Sequence, residues 1–450
     1  MTVKKTIVAL NVLSTTTKVV YVLEQVFAHF LVPFLMLLML LRSRKEPAHL
    51  QNLSHRIGFG AAEQNGAVWI YAASLGETRA ASPLIRRLRV EGFNVLLTHQ
   101  SPAGLTEGAR LFGKDSGIQQ CYIPLDLFWA VRIFLRRFQP AALVVMEIEV
   151  WPAMLIETAR KGIPIVMANG NLLEQSIGNG QGVRRHIFTL YHLFSHIFTR
   201  TNDYRDRYLR IGVDPTRLSV VGDMKFDQLI DPTHLQMAEK VRSNLHGAER
   251  VLMIASSVEP EEALLVPMVV RLLSKDLGLR VIWAPRSPQR FQSVSDSLSS
   301  LGVRVTLRST LGLEMSAPMP RTQVLVGDST GEMDAYYSVA DLVFVGASLV
   351  DHGGHNIIEP MMQGRPVVMG PSTYGIDFAA VPAGRAGAFE SLPNAVSLEA
   401  RIVELLSDPS TLDRMGAAAT RFTIDKTGAA DKTFLGLLPL LGPTTKVVRE

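Results

Sequence analysis

The stretch WIYAASLGETRAA, Trp69–Ala81, marks a point where a strand turns into a helix. Val68 to Ala72 is apolar and rich in β-formers, whereas from Thr78 onward Ala81, Leu84, Ile85 and Leu88 recur at helical spacing. Glu77 therefore stands at a helix N-terminus, just after a glycine. A carboxylate there has two readings. It caps the helix and complements its dipole, or it is a reactive group presented beyond the strand ends, where open α/β sheets bind ligands.

The same texture repeats further along the chain. VWIYAA, NVLLTH, AALVVME, IPIVMANG, HIFTR and LSVVGD alternate with amphipathic stretches between Gly66 and Asp223, which predicts βαβ units on a parallel sheet. RVLMIASS restarts the pattern, followed by RVIWAPR, RVTLR, QVLVGDS, DLVFVGASL and PVVMGP. The expectation is α/β architecture with two Rossmann-like domains, at 46–228 and 241–425. Residues 229–240, within the polar stretch DMKFDQLIDPTHLQMAE, read as a linker, and 426–450 as a C-terminal helix and tail.

The 47% hydrophobic and 19% charged composition of the 450-residue chain excludes a disordered protein. The net charge of +5 permits an anionic partner without requiring a nucleic acid, and none is expected. Cys121, the only cysteine, rules out an intramolecular disulfide and a cysteine-rich zinc site. Residues 1–45 read as a membrane anchor with a basic flank. Val26–Leu41, VFAHFLVPFLMLLMLL, contains only His29 as a polar residue, and extension back to Val19 adds Glu24 and Gln25 and gives a length sufficient to span. Arg42, Arg44 and Lys45 follow, placing the globular body on the cytoplasmic side. A cleaved signal peptide and a buried core helix are the competing readings; no A-x-A-like site follows the apolar run.

Several strand ends carry residues suited to chemistry. ADLVFVGASLVDHGGHNIIEP, Ala340–Pro360, ends a buried strand at Gly346 and continues into a loop with Gly353, Gly354, His355 and Asn356 before a helix near Ile357. Glycines allow close backbone approach, and amides at a helix start hold phosphate; a structural Gly-Gly turn is the alternative. Glu359 lies one turn in, placed to accept hydrogen bonds from ribose hydroxyls. VLVGDSTGEM brings Asp328, Gly331 and Glu332 to another strand end, and IWAPRSPQRF does the same for Arg286, with Arg290 near by. An arginine there can hold phosphate through paired donors. In MEIEVWP, Glu147 and Glu149 follow a strand two residues apart, so an extended chain directs both to one face. His352 and His355 lack an evident third ligand, and no metal site is expected. No G-x-S-x-G elbow, Walker A loop or G-x-G-x-x-G fingerprint occurs in a convincing context, which weakens hydrolase, P-loop NTPase and NAD-enzyme readings.

Together these blocks resemble the 3-deoxy-D-manno-octulosonic acid (Kdo) transferases of lipopolysaccharide assembly. HRIGFG is similar to the family's R-x-G element and ASLGETRAASPLIRRL to its S-V-G-E block, and YIPLDL, MEIEVWP, GDMKFD, APRSPQRF, VGDSTGEM, FVGASL, GGHNIIEP and VVMGP follow in the family's order. The resemblance implies a two-domain GT-B glycosyltransferase with its domains facing a cleft, at the inner membrane, which transfers Kdo from CMP-Kdo to a lipid A precursor (lipid IVA) with inversion and no metal. It makes Glu77 the catalytic base. Arg286 and Gly353–Asn356 become the groups facing the departing CMP, Glu359 the ribose partner, and Ser256 and Lys225 donor-site neighbours, with Gly331 and Glu332 on the same side. Glu147, Glu149 and Arg56 fall to the acceptor side. Arg42, Arg44, Lys45, Arg86 and Arg87 would engage the anionic lipid, although a solvated helix face is an equal reading of Arg86 and Arg87.

Some blocks depart from the family. Its R-H-P-E-R is here RSPQR, its S-T-H-E-G-E-E is SSVEPEE, and NGNLLEQ loses an arginine and a serine. A GT-B transferase of another activated sugar, or a silent membrane-bound paralogue, are the alternatives these changes raise.

Overall fold

The computed structural model describes residues 13–43, 52–60, 65–178, 184–230, 232–245, 250–275, 277–312 and 322–442. The chain divides into two compact units, Met1–Gln228 with Thr427–Glu450, and Leu229–Lys426.

The first unit is built on β1 (Val68–Tyr71), β2 (Val95–His99), β3 (Ile118–Tyr122), β4 (Ala142–Met146), β5 (Ile165–Gly170), β6 (His196–Thr199) and β7 (Leu218–Val220), in the order β3-β2-β1-β4-β5-β6-β7. Every pairing is parallel; Val68, for example, stands beside Val95 on one side and Ala142 on the other. Continuous apolar runs form the central strands because both sheet faces are covered, and β1, β2 and β4 are buried throughout. Strand order reverses between β1 and β4, so the loops after those strands open a crevice at the carboxyl edge. The chain returns to this unit through the helix Ala429–Leu437, whose first amides, from Gly428 and Ala430, donate to the carboxylate of Asp227 at 2.6 and 2.7 Å. Phe434 then packs on Phe93.

The second unit contains β8 (Arg250–Ser257), β9 (Leu279–Pro285), β10 (Val305–Leu307), β11 (Val324–Val326), β12 (Leu342–Val345), β13 (Val367–Met369) and β14 (Phe389–Ser391), in the order β10-β11-β9-β8-β12-β13-β14. All pairs are again parallel, and the order reverses between β8 and β12. The stretch 229–240, expected as a linker, is instead mostly helix, Pro232–Asn244, and belongs to this unit. Its proline sits at the helix start, where a missing amide costs nothing.

The expected anchor takes a different form. Thr15–Ser43 is one helix, but no helix among the described residues is long and apolar enough to cross a membrane. One stripe of it is docked on the first unit. Thr17 hydrogen-bonds Thr189, and the Tyr21 hydroxyl donates to the buried Glu157. The Gln25 amide donates to the Asp126 carbonyl at 3.0 Å and accepts from the Phe128 amide at 2.8 Å. Thr17, Tyr21 and Gln25 recur every fourth residue and so share one face. Polar contacts of this kind hold that face to protein, whereas Val22, Phe27, Phe30 and Phe34 are each more than half exposed on the others. Arg44 and Lys45 lie outside the described residues, as does the side chain of Arg42.

Candidate functional site

In the first unit, the helix after β1 is Leu75–Val90, with Ser74 as its N-cap. The Ser74 hydroxyl accepts from the Glu77 amide, and the Glu77 carboxylate accepts from the Ser74 hydroxyl at 3.1 Å and from the Ala73 amide at 2.8 Å. Glu77 is thus a capping residue, and it also sits at the switch point beside β4. Its pKa is pushed up to about 7, first by burial, against the hydrogen bond from Ala73, and further by the charges of Glu147 and Glu149. The carboxylate does not remain simply ionised, as a helix-terminal position alone would suggest; it titrates at neutral pH.

Glu147 and Glu149 do converge on Glu77, but not by extended geometry. Glu147 has φ 58, so β4 ends in a left-handed turn and the pair is not on one strand face. Each carboxylate has its own partners. Glu147 pairs with Lys225 at 3.2 Å and accepts from Asn171, while Glu149 accepts from the Trp151 indole at 2.7 Å, with the Tyr71 hydroxyl 3.5 Å away. Lys225 therefore belongs to the first unit, on the 3-10 turn Met224–Asp227. A buried Arg200–Asp223 pair at 3.0 Å lies beside it, after β6, and Asp223 also accepts from the Lys225 amide. Sequence reading missed this pair; the arginine immediately after an apolar strand was its signal.

Arg56 donates to the carbonyls of Gln100, at 2.6 Å, and Ile123, and its guanidinium lies 4.2 Å from the centre of the Tyr122 ring. No carboxylate pairs with it among the described residues. Burial lowers its pKa, a cost that an incoming anion would offset. Arg86 lies over Phe112, and Arg87 pairs with Glu91 and Asp431, so both serve the helix surface.

In the second unit the site forms after β8, β9 and β12. β8 bulges at Ser256, φ 57, and the next strand end carries Arg286, whose amide donates to the Ser257 carbonyl. Arg290 is held by Glu262 and Glu259, both at 2.7 Å. Arg286 is exposed and pairs with no carboxylate among the described residues. Its charge, after burial, helps to lower the pKa of His355 to about 4, so that imidazole is neutral at physiological pH. His355 Nε2 is buried without a hydrogen-bond partner, a cost that a ligand group would remove.

The Gly353–Asn356 loop is not a row of open amides. Gly353 and Gly354 adopt φ 80 and 75, as their sequence suggests, but their amides donate to Ser372 Oγ and the Ala347 carbonyl, and that of His355 to the Gly346 carbonyl. Buried donors find partners within the protein. Asn356 Oδ1 accepts from the Ile358 amide and opens the short helix Ile358–Met362, in which Glu359 is half-buried. The amides of Gly353, Gly354 and His355 are therefore already engaged, which leaves the His355 and Asn356 side chains among the groups this loop offers a ligand.

Glu332 plays a local part, just after Gly331 with φ 89. Glu332 accepts from Arg308 at 2.9 Å and from the hydroxyls of Tyr336 and Ser329, which fixes the turn after β11. Another missed residue is Glu261, fully buried, which accepts from the amides of Ala347, Ser348 and Leu349 at 2.8, 3.0 and 2.8 Å. Gly346 is required there, since a Cβ would come within 2.7 Å of Glu261 Oε2 and of Ser257 Cα.

Residues 51–228 match the family model described as 3-deoxy-D-manno-octulosonic-acid transferase (kdotransferase), and residues 318–422 that of glycosyl transferases group 1. A 3-deoxy-D-manno-octulosonic acid transferase from Bordetella pertussis is 33% identical over 83% of this chain and 87% of its own length. One from Haemophilus influenzae is 31% identical over 91% and 95%. UDP-GlcNAc 2-epimerase from Neisseria meningitidis, 16% identical, shares the fold with a TM-score of 0.60 over 83% of this chain and 99% of its own, in keeping with GT-B architecture. Family model, similarity along nearly the whole length and paired parallel sheets agree: this glycosyltransferase belongs to the 3-deoxy-D-manno-octulosonic acid transferase family.

Proposed function

We propose that the enzyme transfers Kdo from CMP-Kdo to a lipid A precursor, lipid IVA, with inversion, and that Glu77 is the base. The acceptor hydroxyl attacks the anomeric carbon, the bond from that carbon to the phosphate oxygen of CMP breaks, and the hydroxyl proton passes to Glu77. The observation that carries this reading is the Glu77 carboxylate at the β1/β4 switch point with a pKa of about 7. A base titrating near the working pH combines an available ionised form with affinity for the proton. Lys225, through Glu147, and Glu149 would set the field around it.

Charge gathering on CMP would meet Arg286, with neutral His355, Asn356 and Glu359 as hydrogen-bonding neighbours and Ser256 on the adjoining loop; no metal has a part in this reading. The exposed apolar face of Thr15–Ser43 supports attachment to the inner membrane, with the helix lying in the interface and both units on the cytoplasmic side. The test is transfer from CMP-Kdo generated in situ to detergent-dispersed tetraacylated acceptor, read by mass spectrometry. Mass gain in Kdo increments supports the reading. No gain from protein that binds CMP contradicts it.

A further inference from the structure

The N-terminal helix and the carboxyl edge of the first sheet enclose a cavity of about 450 Å³, within the ~300–1,000 Å³ typical of ligand pockets. Its wall is apolar: Val32 from the helix, and Ile123, Leu127, Val131 and Met154 from the body. Arg56, Tyr71, Gln100 and Trp151 also line it. Those residues connect it to the site already described. Tyr71 bonds Gln100 at 3.0 Å and lies 3.5 Å from Glu149, Trp151 bonds Glu149, and Glu149 acts on Glu77.

Two further carboxylates reach the cavity, Glu24 and Asp126. Burial raises the pKa of both, that of Asp126 to about 6, and Asp126 is turned toward the amides of Ala153 and Met154. The one fixed cation on the lining is Arg56, and no carboxylate among the described residues neutralises it. An occupant with an apolar tail and an anionic head fits this distribution. The helix that forms one wall also exposes Phe27, Phe30 and Phe34, so the cavity adjoins a surface suited to lipid.

We propose that this cavity holds one acyl chain of the lipid acceptor while Arg56 faces its phosphate, which fixes the acceptor hydroxyl beside Glu77. The proposal rests on the acceptor being a lipid, as read above. It makes acyl-chain recognition a property of the enzyme body and not only of the membrane.

The test uses the full-length protein and a tetraacylated, bisphosphorylated glucosamine disaccharide with a diazirine at the end of one acyl chain. Kdo transfer to it is first measured in the dark. After irradiation, peptide mass spectrometry is expected to place the label on Val32, Ile123–Val131 or Met154, with loss of label when unmodified acceptor competes. Dark transfer with label confined to Phe27, Phe30 and Phe34 overturns the cavity proposal and leaves the acceptor reading standing. No dark transfer overturns the acceptor reading and the proposal with it. Val32→Trp, which fills the cavity, is expected to raise KM for the lipid at least tenfold with CMP binding retained; an unchanged KM contradicts the proposal.

Discussion

At Glu77 three influences compete. Burial and the two neighbouring carboxylates favour the protonated form, while the Ala73 amide and the Ser74 hydroxyl favour the ionised one, and burial wins. A raised carboxyl pKa has a definite cost. Below its ordinary value, 4.5, the group is protonated in both folded and unfolded chains and contributes nothing; above about 7 the folded chain carries a penalty of roughly 3 kcal/mol. Glu77→Gln is therefore expected to unfold at a higher temperature than the wild type at pH 8, with the gain gone at pH 4.5. Thermal melts at the two pH values check this, and an equal gain at both would mean that the side chain's shape, not its charge, sets the difference. The location of Glu77 was legible in its sequence block, but its titration was not, because that depends first on burial in the folded chain and then on carboxylates about 70 residues away that β4 brings beside β1.

Among the elements, buried parallel strands were the legible part. Their apolar runs stand out because both faces are covered. The strands that sequence patterning missed, β3 and β14, each lie at one edge of their sheet, where residues such as Gln119, Gln120 and Glu390 break the apolar run that β7 and β10, at the opposite edges, partly keep. The helix Pro232–Asn244 was obscured by its polar composition. Loop support was equally invisible: Glu261 lies in a block noted only for its departures from the family, yet it holds three amides of the loop after β12. Glu261→Gln leaves at least one of these donors unpaired and removes a buried charge's hydrogen bonds. The expected loss is about 2–4 kcal/mol of stability, with CMP affinity reduced at temperatures where the protein is still folded. Denaturant unfolding and calorimetric titration with CMP check it; full stability and affinity would show that the loop is held by other means.

For the whole molecule, the N-terminal helix presents two kinds of face, one docked on the first unit and one that the proposed reading assigns to lipid. The docked face, with Thr17, Tyr21 and Gln25, is polar and specific, whereas Val22, Phe27, Phe30 and Phe34 are apolar and exposed. Composition alone suggested an anchor, since the sequence does not reveal that every fourth residue is committed to the first unit. Phe27→Ser combined with Phe30→Ser removes exposed apolar surface without touching the hydrogen-bonded stripe. Folding stability is expected to change by less than about 1 kcal/mol, vesicle co-sedimentation to fall severalfold, and the rate on detergent-dispersed acceptor to persist. Unchanged vesicle binding would contradict the interfacial arrangement.

Whether Glu77 takes the acceptor's proton is tested by the pH dependence of kcat/KM for Kdo transfer, wild type beside Glu77→Gln. The wild-type rate is expected to rise about tenfold per pH unit below an inflection near 7 and to be level above it. The variant is expected to be slower by about 10²–10⁴-fold and to lack this inflection. A variant that keeps the wild-type rate, or the same inflection in both proteins, would contradict that role for Glu77.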